Sequence, residues 1–282
     1  MFNYYNFYMK DMNLIEIIKS WFKNKSQNVD NLTEEQQKVK NFVENVRENY
    51  KGLIKEVVQE DYPNISSFNF TKSAFYDKKW DEVLCKARGL FIDTTNWKIV
   101  ARGFDKFFNI NEREETKYEN VLAHSYLQGN IDVYTKYNGY LGIFSANENG
   151  WFFCQKSRLV CGYPEKDDII DRNDVSWYAK NFANIAKDNL FFFDVVAKFC
   201  KHNNCSALFE VIDYENDPHI IKSSHKKLVL LAFIKNSLEF EEIKTFNYSN
   251  AVFFLEKNKT DIIFANKEKT IEWYNSININ ND

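Results

Sequence analysis

One lysine in this chain stands where it could act as a nucleophile. Lys136-Tyr137-Asn138-Gly139 follows Val133-Tyr134-Thr135 and precedes Tyr140-Leu141-Gly142-Ile143-Phe144-Ser145. The pattern predicts two short apolar strands meeting at an Asn-Gly turn, with the lysine held just before the turn. A lysine amine so placed can attack phosphorus or carbonyl centres once it has lost its proton. The tetrad alone is a weak signal. With this lysine content and 8 glycines, about one Lys-x-x-Gly is expected by chance, and an isolated turn lysine is ordinarily just solvated.

The elements that must position this lysine fall into two textures. Residues 12–60 look helical: Leu14, Ile17, Ile18, Trp21 and Phe22 recur at helical spacing. A second helix starts near Thr33-Glu34-Glu35-Gln36, which fits a capping box, with Val39, Phe42, Val43 and Val46 as its apolar stripe. From residue 65 short aromatic and β-branched runs take over at 66–70, 88–93, 97–104, 131–136, 140–145, 151–156, 207–213, 219–221 and 228–234. They are bounded by Asn, Asp and Gly, the pattern of an antiparallel α+β domain. Residues 171–204 read as a helical insert, and 248–282 as two short helical patterns with a frayed Asn-rich end. The expected organisation is a helical N-terminal segment over 1–60 and one domain over 61–282.

Composition limits the classes of function. The 282 residues, 44% apolar and 17% aromatic, can bury a sizeable core. With 8 glycines and 3 prolines, long flexible linkers are not expected. A net charge of −3 neither demands nor excludes a nucleic-acid partner, so a polyanion site would be a local cleft of lysines and arginines. Cys85, Cys154, Cys161, Cys200 and Cys205 include no C-x-x-C pair and read as buried thiols of an intracellular protein. His219 and His225 have no second ligand at a metal-binding spacing. No apolar run approaches the ~20 residues that span a bilayer, and the N-terminus lacks a signal peptide's regions. The expectation is a cytoplasmic protein with no membrane partner.

Four further segments accompany the lysine in a fixed order. Arg88-Gly89-Leu90-Phe91-Ile92-Asp93 and Arg102-Gly103-Phe104-Asp105-Lys106-Phe107-Phe108-Asn109 precede it. Gln155-Lys156-Ser157-Arg158 and Leu208-Phe209-Glu210-Val211-Ile212-Asp213 follow, the last running on through His219-Ile220-Ile221 into Leu228-Val229-Leu230-Leu231. In this order they resemble the adenylyltransferase (nucleotidyltransferase) domain of ATP-dependent RNA ligases, the phage-type ligases and the fungal tRNA ligase. The resemblance spans roughly residues 66–235. Its most specific parts are the Arg-Gly-Leu-Phe and Lys-Phe-Phe-Asn segments.

The resemblance implies an α+β nucleotidyltransferase domain that joins RNA 5′-phosphate and 3′-hydroxyl ends through a lysyl-AMP on Lys136, with ATP and Mg2+ as cofactors. Lys106, Lys156 and Arg158 would bind the triphosphate, since phosphoryl transfer asks mainly for positioning and charge neutralisation. Glu210 suits a ribose hydroxyl or the magnesium ion, because a carboxylate accepts hydrogen bonds and ligates hard cations. Arg88 would bind the nucleotide or orient the site. Gly139 closes the nucleophile's motif, and Phe70 falls where the phage-type enzymes carry an aromatic near the nucleotide. Lys156 and Arg158 are expected on one strand face at i, i+2. Taken singly, each also has a bland reading: a snorkelling Lys106, a surface Glu210, a solvated edge pair at 156 and 158. The implied partners are broken RNA ends, such as nicked tRNA, and a separate end-healing kinase or phosphatase.

The family continues with a Glu-Gly-φ-Val segment and a Lys-x-Lys strand, and neither is clear here. Ile271-Glu272-Trp273-Tyr274 is a poor stand-in for the first, and Lys267-Glu268-Lys269 comes early, in an apparently helical context. The expectation is therefore an atypical or truncated C-terminal part. A degenerate nucleotide- or RNA-binding module of the same fold is the second reading. A DNA ligase or capping enzyme is the third, disfavoured by the two specific segments.

Overall fold

In the computed structural model of the chain the described residues are 32–128, 133–134, 136–162, 176–213, 226–243, 260–264 and 267–268. The Leu14–Phe22 stripe, the Asn-rich C-terminal end, His219 and His225 lie outside them. Thr33 caps helix α1 (Glu34–Asn49). Its Oγ1 accepts the Gln36 backbone N–H at 3.2 Å, and the Thr33 N–H donates to Gln36 Oε1 at 2.9 Å. These reciprocal bonds satisfy donors that a helix N-terminus leaves orphaned. Val39, Phe42, Val43 and Val46 are all buried, as their spacing requires.

The helical reading of 12–60 fails beyond Asn49. Gly52 takes φ +81, and Ile54–Gln59 is a strand, β1. Its Val57-Val58 pair favours the pleat, and its partner is the next segment in the chain. Strands β1, β2 (Tyr62–Phe70), β3 (Leu90–Asp93) and β4 (Lys98–Arg102) form an antiparallel sheet in chain order.

β5 (Val133–Tyr134) stands apart from the second sheet. That sheet contains β6 (Tyr140–Asn147), β7 (Gly150–Cys154), β8 (Leu159–Gly162), β9 (Cys205–Ile212), β10 (Lys226–Lys235) and β11 (Thr260–Phe264), in the order β11-β10-β9-β6-β7-β8. All its pairings are antiparallel except β10 with β11. β5 pairs instead with β12 (Lys267–Glu268). The tail read as helical thus supplies two strands. Ile262-Ile263-Phe264 is a β-branched and aromatic run, and its partner, Leu228–Leu230, lies about thirty residues upstream, beyond any local pattern.

The two sheets face each other. Ile65, Phe91, Val100 and Ala101 of the first meet Ile143, Phe152, Leu208 and Ala232 of the second. Strand alternation sends the other residues outward. Phe68, Leu90 and Ile92 pack under α1. Phe144, Phe153 and Phe209 pack under helices α5 (Trp177–Lys187) and α6 (Leu190–Asn203) through Phe182, Phe192 and Phe193. The result is helix, sheet, sheet, helix pair: a mixed α+β arrangement with mainly antiparallel sheets. The expected helical insert over 171–204 is this pair, broken at Asp188-Asn189. Three further helices, α2 (Lys72–Tyr76), α3 (Glu82–Lys86) and α4 (Tyr118–Gln128), are too short or too weakly patterned to stand out in the sequence. No helix among the described residues is long and apolar enough to cross a membrane.

Phe68 is fully buried and meets Phe42 edge-on, with ring centroids 6.4 Å apart. Phe68→Ala should therefore destabilise the fold by about 3–5 kcal/mol, read as a lower urea midpoint at unchanged slope. A shift under about 1 kcal/mol would mean that α1 does not pack on the sheet as described.

Candidate active site

Where the two sheets open, one turn sets the position of a single guanidinium. Ala87-Arg88-Gly89 links α3 to β3, and Gly89 sits at φ +67. The turn is held from three sides. The Gly89 N–H donates to Asn69 Oδ1 at 3.0 Å, the Phe70 N–H to the Ala87 carbonyl at 2.8 Å, and the Gly103 N–H to the Gly89 carbonyl at 2.9 Å. The left-handed φ favours glycine, and a Cβ there would also stand 2.8 Å from Ile143 Cδ1, the end of a side chain that would have to turn aside. Arg88 Cζ lies 5.0 Å from the Phe107 ring centroid, and Nη1 donates to the Phe104 carbonyl at 3.4 Å. Burial pushes the guanidinium's pKa down, and the carboxylates of Glu210 and Asp105 pull it back.

On one side of Arg88, Lys136 and Glu210 share a cavity of about 500 Å³ whose apolar walls include Phe104, Phe107, Leu141 and Leu231. Lys136 is exposed at its rim. Beneath the lysine loop the Gly139 N–H donates to Glu210 Oε1 at 2.9 Å. Glu210 extends from the central strand β9 toward the space between the sheets, on the same strand face as Leu208. Burial raises its pKa, while the Gly139 N–H, Lys136 and Arg88 oppose the rise in that order.

The Asn-Gly hairpin expected around Lys136 does not form. β5 pairs with β12, β6 with β7 and β9, and neither Asn138 nor Gly139 has a positive φ. The glycine is required for a different reason: a Cβ there would come within 2.3 Å of the Val211 carbonyl oxygen. β12 lies antiparallel to β5 with Lys267 opposite Tyr134. The Lys267-Glu268 backbone thus runs as a strand, not a helix, beside the segment that leads into Lys136.

On the other side of Arg88 a cavity of about 460 Å³ is lined by Lys72, Arg88, Lys106 and Lys156, with Phe70 and Phe107 in its walls and no carboxylate among its lining residues. Lys106, its side chain 11% exposed, stands inside a box of rings. Its Nζ is 3.9 Å from the Phe108 centroid and 5.2 Å from that of Trp80, donates to the Phe107 carbonyl, and lies 4.0 Å from Glu112. Burial lowers its pKa; Glu112 opposes this and Arg88 adds to it. Lys156 is an exposed residue, yet its Nζ rests 4.6 Å from the Phe70 centroid. Partial burial there lowers its pKa, with Arg88 again adding.

Lys136, Gly139 and Glu210 thus meet on one side of Arg88, and Phe70, Lys106 and Lys156 on the other. Arg158 is the exception. Its Nη1 donates to the Val58 carbonyl at 3.4 Å and lies 3.9 Å from Glu60, away from both cavities. The expected shared strand face is absent because β7 ends at Cys154; Gln155–Arg158 is a tight turn closed by the Gln155 N–H on the Arg158 carbonyl at 2.9 Å. Asn69, Phe107 and Glu242 were not anticipated. Asn69 left a trace, an amide between two phenylalanines inside a strand, where Asn is disfavoured. Glu242 lines the Lys136 cavity from beyond β10, with nothing local to mark it.

The site thus joins a half-buried carboxylate, a lysine at the rim and a cluster of cations whose charge burial disfavours. The family profile for RNA ligases matches residues 86–279, about two thirds of the chain, and the chain belongs to that family. It is similar to the tRNA ligase of Candida albicans, 33% identical over 99 residues, which are 35% of this chain and 11% of that protein. It is also similar to tRNA ligase 1 of Schizosaccharomyces pombe, 26% identical over 140 residues, 48% of this chain and 17% of that protein. The chain therefore matches only a small part of the length of these relatives. The matched range extends to residue 279 and includes β11 and β12.

Two outcomes follow from the geometry. Gly139→Ala should displace the lysine loop from Glu210, because the new methyl meets a backbone oxygen that cannot rotate away; the Gly139 amide proton should lose its hydrogen-exchange protection. Glu210 has a raised pKa in the fold, so its contribution to stability is full below its unfolded value and is lost as pH rises through the folded value. Glu210→Gln removes that loss while keeping an acceptor for Gly139. The variant should melt higher than the parent at pH 7, with the gap closing toward pH 4; a gap that widens on acidification would reverse the sign assigned to Glu210.

Proposed function

We propose that the chain is an ATP-dependent RNA ligase whose sandwich is a nucleotidyltransferase domain and whose Lys136 carries AMP as a covalent intermediate. The observation that carries this reading is the arrangement around Arg88: the candidate nucleophile and a carboxylate lie in an apolar-walled cavity on one side, and on the other lies a cavity lined by cations and by no carboxylate. Adenosine fits the first cavity, with Glu210 accepting from a ribose hydroxyl, and the β- and γ-phosphates fit the second. The Lys136 amine attacks the α-phosphorus as the bond to pyrophosphate breaks. Arg88, Lys106 and Lys156 neutralise the charge that builds on the leaving group.

The residues also fit a magnesium ion. Mg2+ in nucleotide sites leans on one or two carboxylates plus substrate phosphates rather than on a protein-built cage. Among the described residues no three His, Cys, Asp or Glu side chains converge, but Glu210 and Glu242 both line the Lys136 cavity. A bound divalent cation would supply further charge neutralisation, and it would favour the ionised Glu210 that burial disfavours. The relatives' names support tRNA as a substrate; repair or splicing of tRNA or other broken RNA in the cytoplasm, with a separate end-healing enzyme, completes the proposed setting.

Purified protein incubated with α-labelled ATP and magnesium should acquire an acid-labile, hydroxylamine-sensitive AMP label that Lys136→Ala abolishes. A label that survives in Lys136→Ala rejects the nucleophile. Lys106→Ala should weaken nucleotide binding by roughly tenfold to a hundredfold, the loss of one charge-assisted contact, as measured by ATP titration. Unchanged ATP binding would move the phosphates out of the cation-lined cavity.

A further inference from the structure

The cation-lined cavity has an outer wall that phosphate binding does not use. Phe75 and Tyr76, on α2, are 46% and 75% exposed, and both line that cavity. They are not frayed. Thr71 Oγ1 accepts the Ala74 N–H at 3.3 Å and donates to the Gly52 carbonyl at 2.9 Å, and Ala74 is fully buried. The Phe75 ring lies nearly parallel to Phe70, with centroids 6.3 Å apart and planes at 16°, and Trp80 braces both rings edge-on at 6.0 and 4.9 Å. Tyr76 stands against Phe75 at 5.5 Å. Lys72 on the same helix and Lys156 over Phe70 complete a surface where flat rings alternate with positive charge.

This combination fits a single-stranded nucleic acid, which offers bases to rings and phosphates to cations. A second copy of the chain is the poorer occupant, because a two-fold contact here would bring the same cations face to face. The chemistry of the proposed ligase reaction, on which this inference rests, says which nucleotide arrives. In the second step an oxygen of the RNA 5′-phosphate attacks the phosphorus of lysyl-AMP. The new P–O bond forms as the P–N bond to Lys136 breaks, and the amine leaves with the electron pair and takes a proton from solvent. In-line displacement requires the entering phosphate to stand opposite Lys136, on the side from which pyrophosphate departed in the first step. We propose that the cation-lined cavity receives the RNA 5′-phosphate in turn, and that Phe75 and Tyr76 form the platform on which the base of that 5′-terminal nucleotide stacks.

The test uses the full chain and a 5′-phosphorylated oligoribonucleotide without ATP, so it does not depend on Lys136 chemistry. Tyr76→Ala should bind this RNA about tenfold to a hundredfold more weakly by fluorescence anisotropy, and Tyr76→Trp should restore binding. An RNA whose first nucleotide is abasic should bind the parent as weakly as intact RNA binds Tyr76→Ala, with no further loss when the two changes are combined. A photoreactive 5-iodouridine at the first position should crosslink to the peptide containing Phe75 and Tyr76, whereas one at the fifth position should not. Equal RNA affinity in Tyr76→Ala, additive losses, or a first-position crosslink elsewhere overturns the platform. Thermal melts of the variants separate loss of binding from loss of fold. An absent AMP label on the parent, with the crosslink intact, would overturn the ligase reading while leaving the platform standing.

Discussion

The structure is organised around charges held partly out of water without enough counter-charge inside the protein. Arg88, Lys106 and Lys156 are all pushed toward deprotonation, and Glu210 toward protonation, with burial the largest cause in each case. Ring faces offer partial relief: Phe107 to Arg88, Phe108 and Trp80 to Lys106, Phe70 to Lys156. Cation–π contacts are worth about 0.5–2 kcal/mol each, less than full hydration, so the deficit persists. A polyphosphate entering the site would supply the missing charge.

Keeping such charges in place takes a rigid frame, and the two sheets supply it. Arg88 is anchored through the turn at Gly89, whose bonds come from β2 and from the residue after β4, while Ile143 of the other sheet crowds it from behind. Glu210 is anchored in the middle of the six-stranded sheet, between β10 and β6. The distance between guanidinium and carboxylate is therefore set by the packing of one sheet on the other. The phenylalanine-rich layers beneath the helices are distant from the chemistry, but they keep that packing from slipping, because close-packed interiors resist small displacements.

Membership of the RNA ligase family, with partial likeness to two fungal tRNA ligases, places this constellation in a known setting. The structure, for its part, corrects the helical reading of the C-terminal part. A stretch read as helical contributes β11 to the edge of the large sheet and β12 to the strand that leads into Lys136. The Lys267-Glu268 backbone consequently runs alongside the short strand just before the candidate nucleophile.

Local sequence determined the features that depend on neighbours in the chain. The Thr33 capping box, the Val39–Val46 stripe and most strands of both sheets were legible, because backbone propensity and side-chain period act over a few residues. The order of five motifs also pointed to Lys136, Lys106, Lys156, Arg88 and Glu210, which the fold gathers around one opening. What local sequence could not decide were relations between segments far apart. The Lys136 loop looked like a hairpin, yet β5 finds its partner more than a hundred residues later. Arg158 looked like a twin of Lys156, but the strand had already ended and the turn sends it toward Glu60. Asn138-Gly139 suggested a hairpin turn, and the glycine is needed instead for its closeness to the Val211 carbonyl. In each case the deciding quantity is the distance between backbones brought together only when the sheets pair and stack, and no periodicity along the chain encodes it.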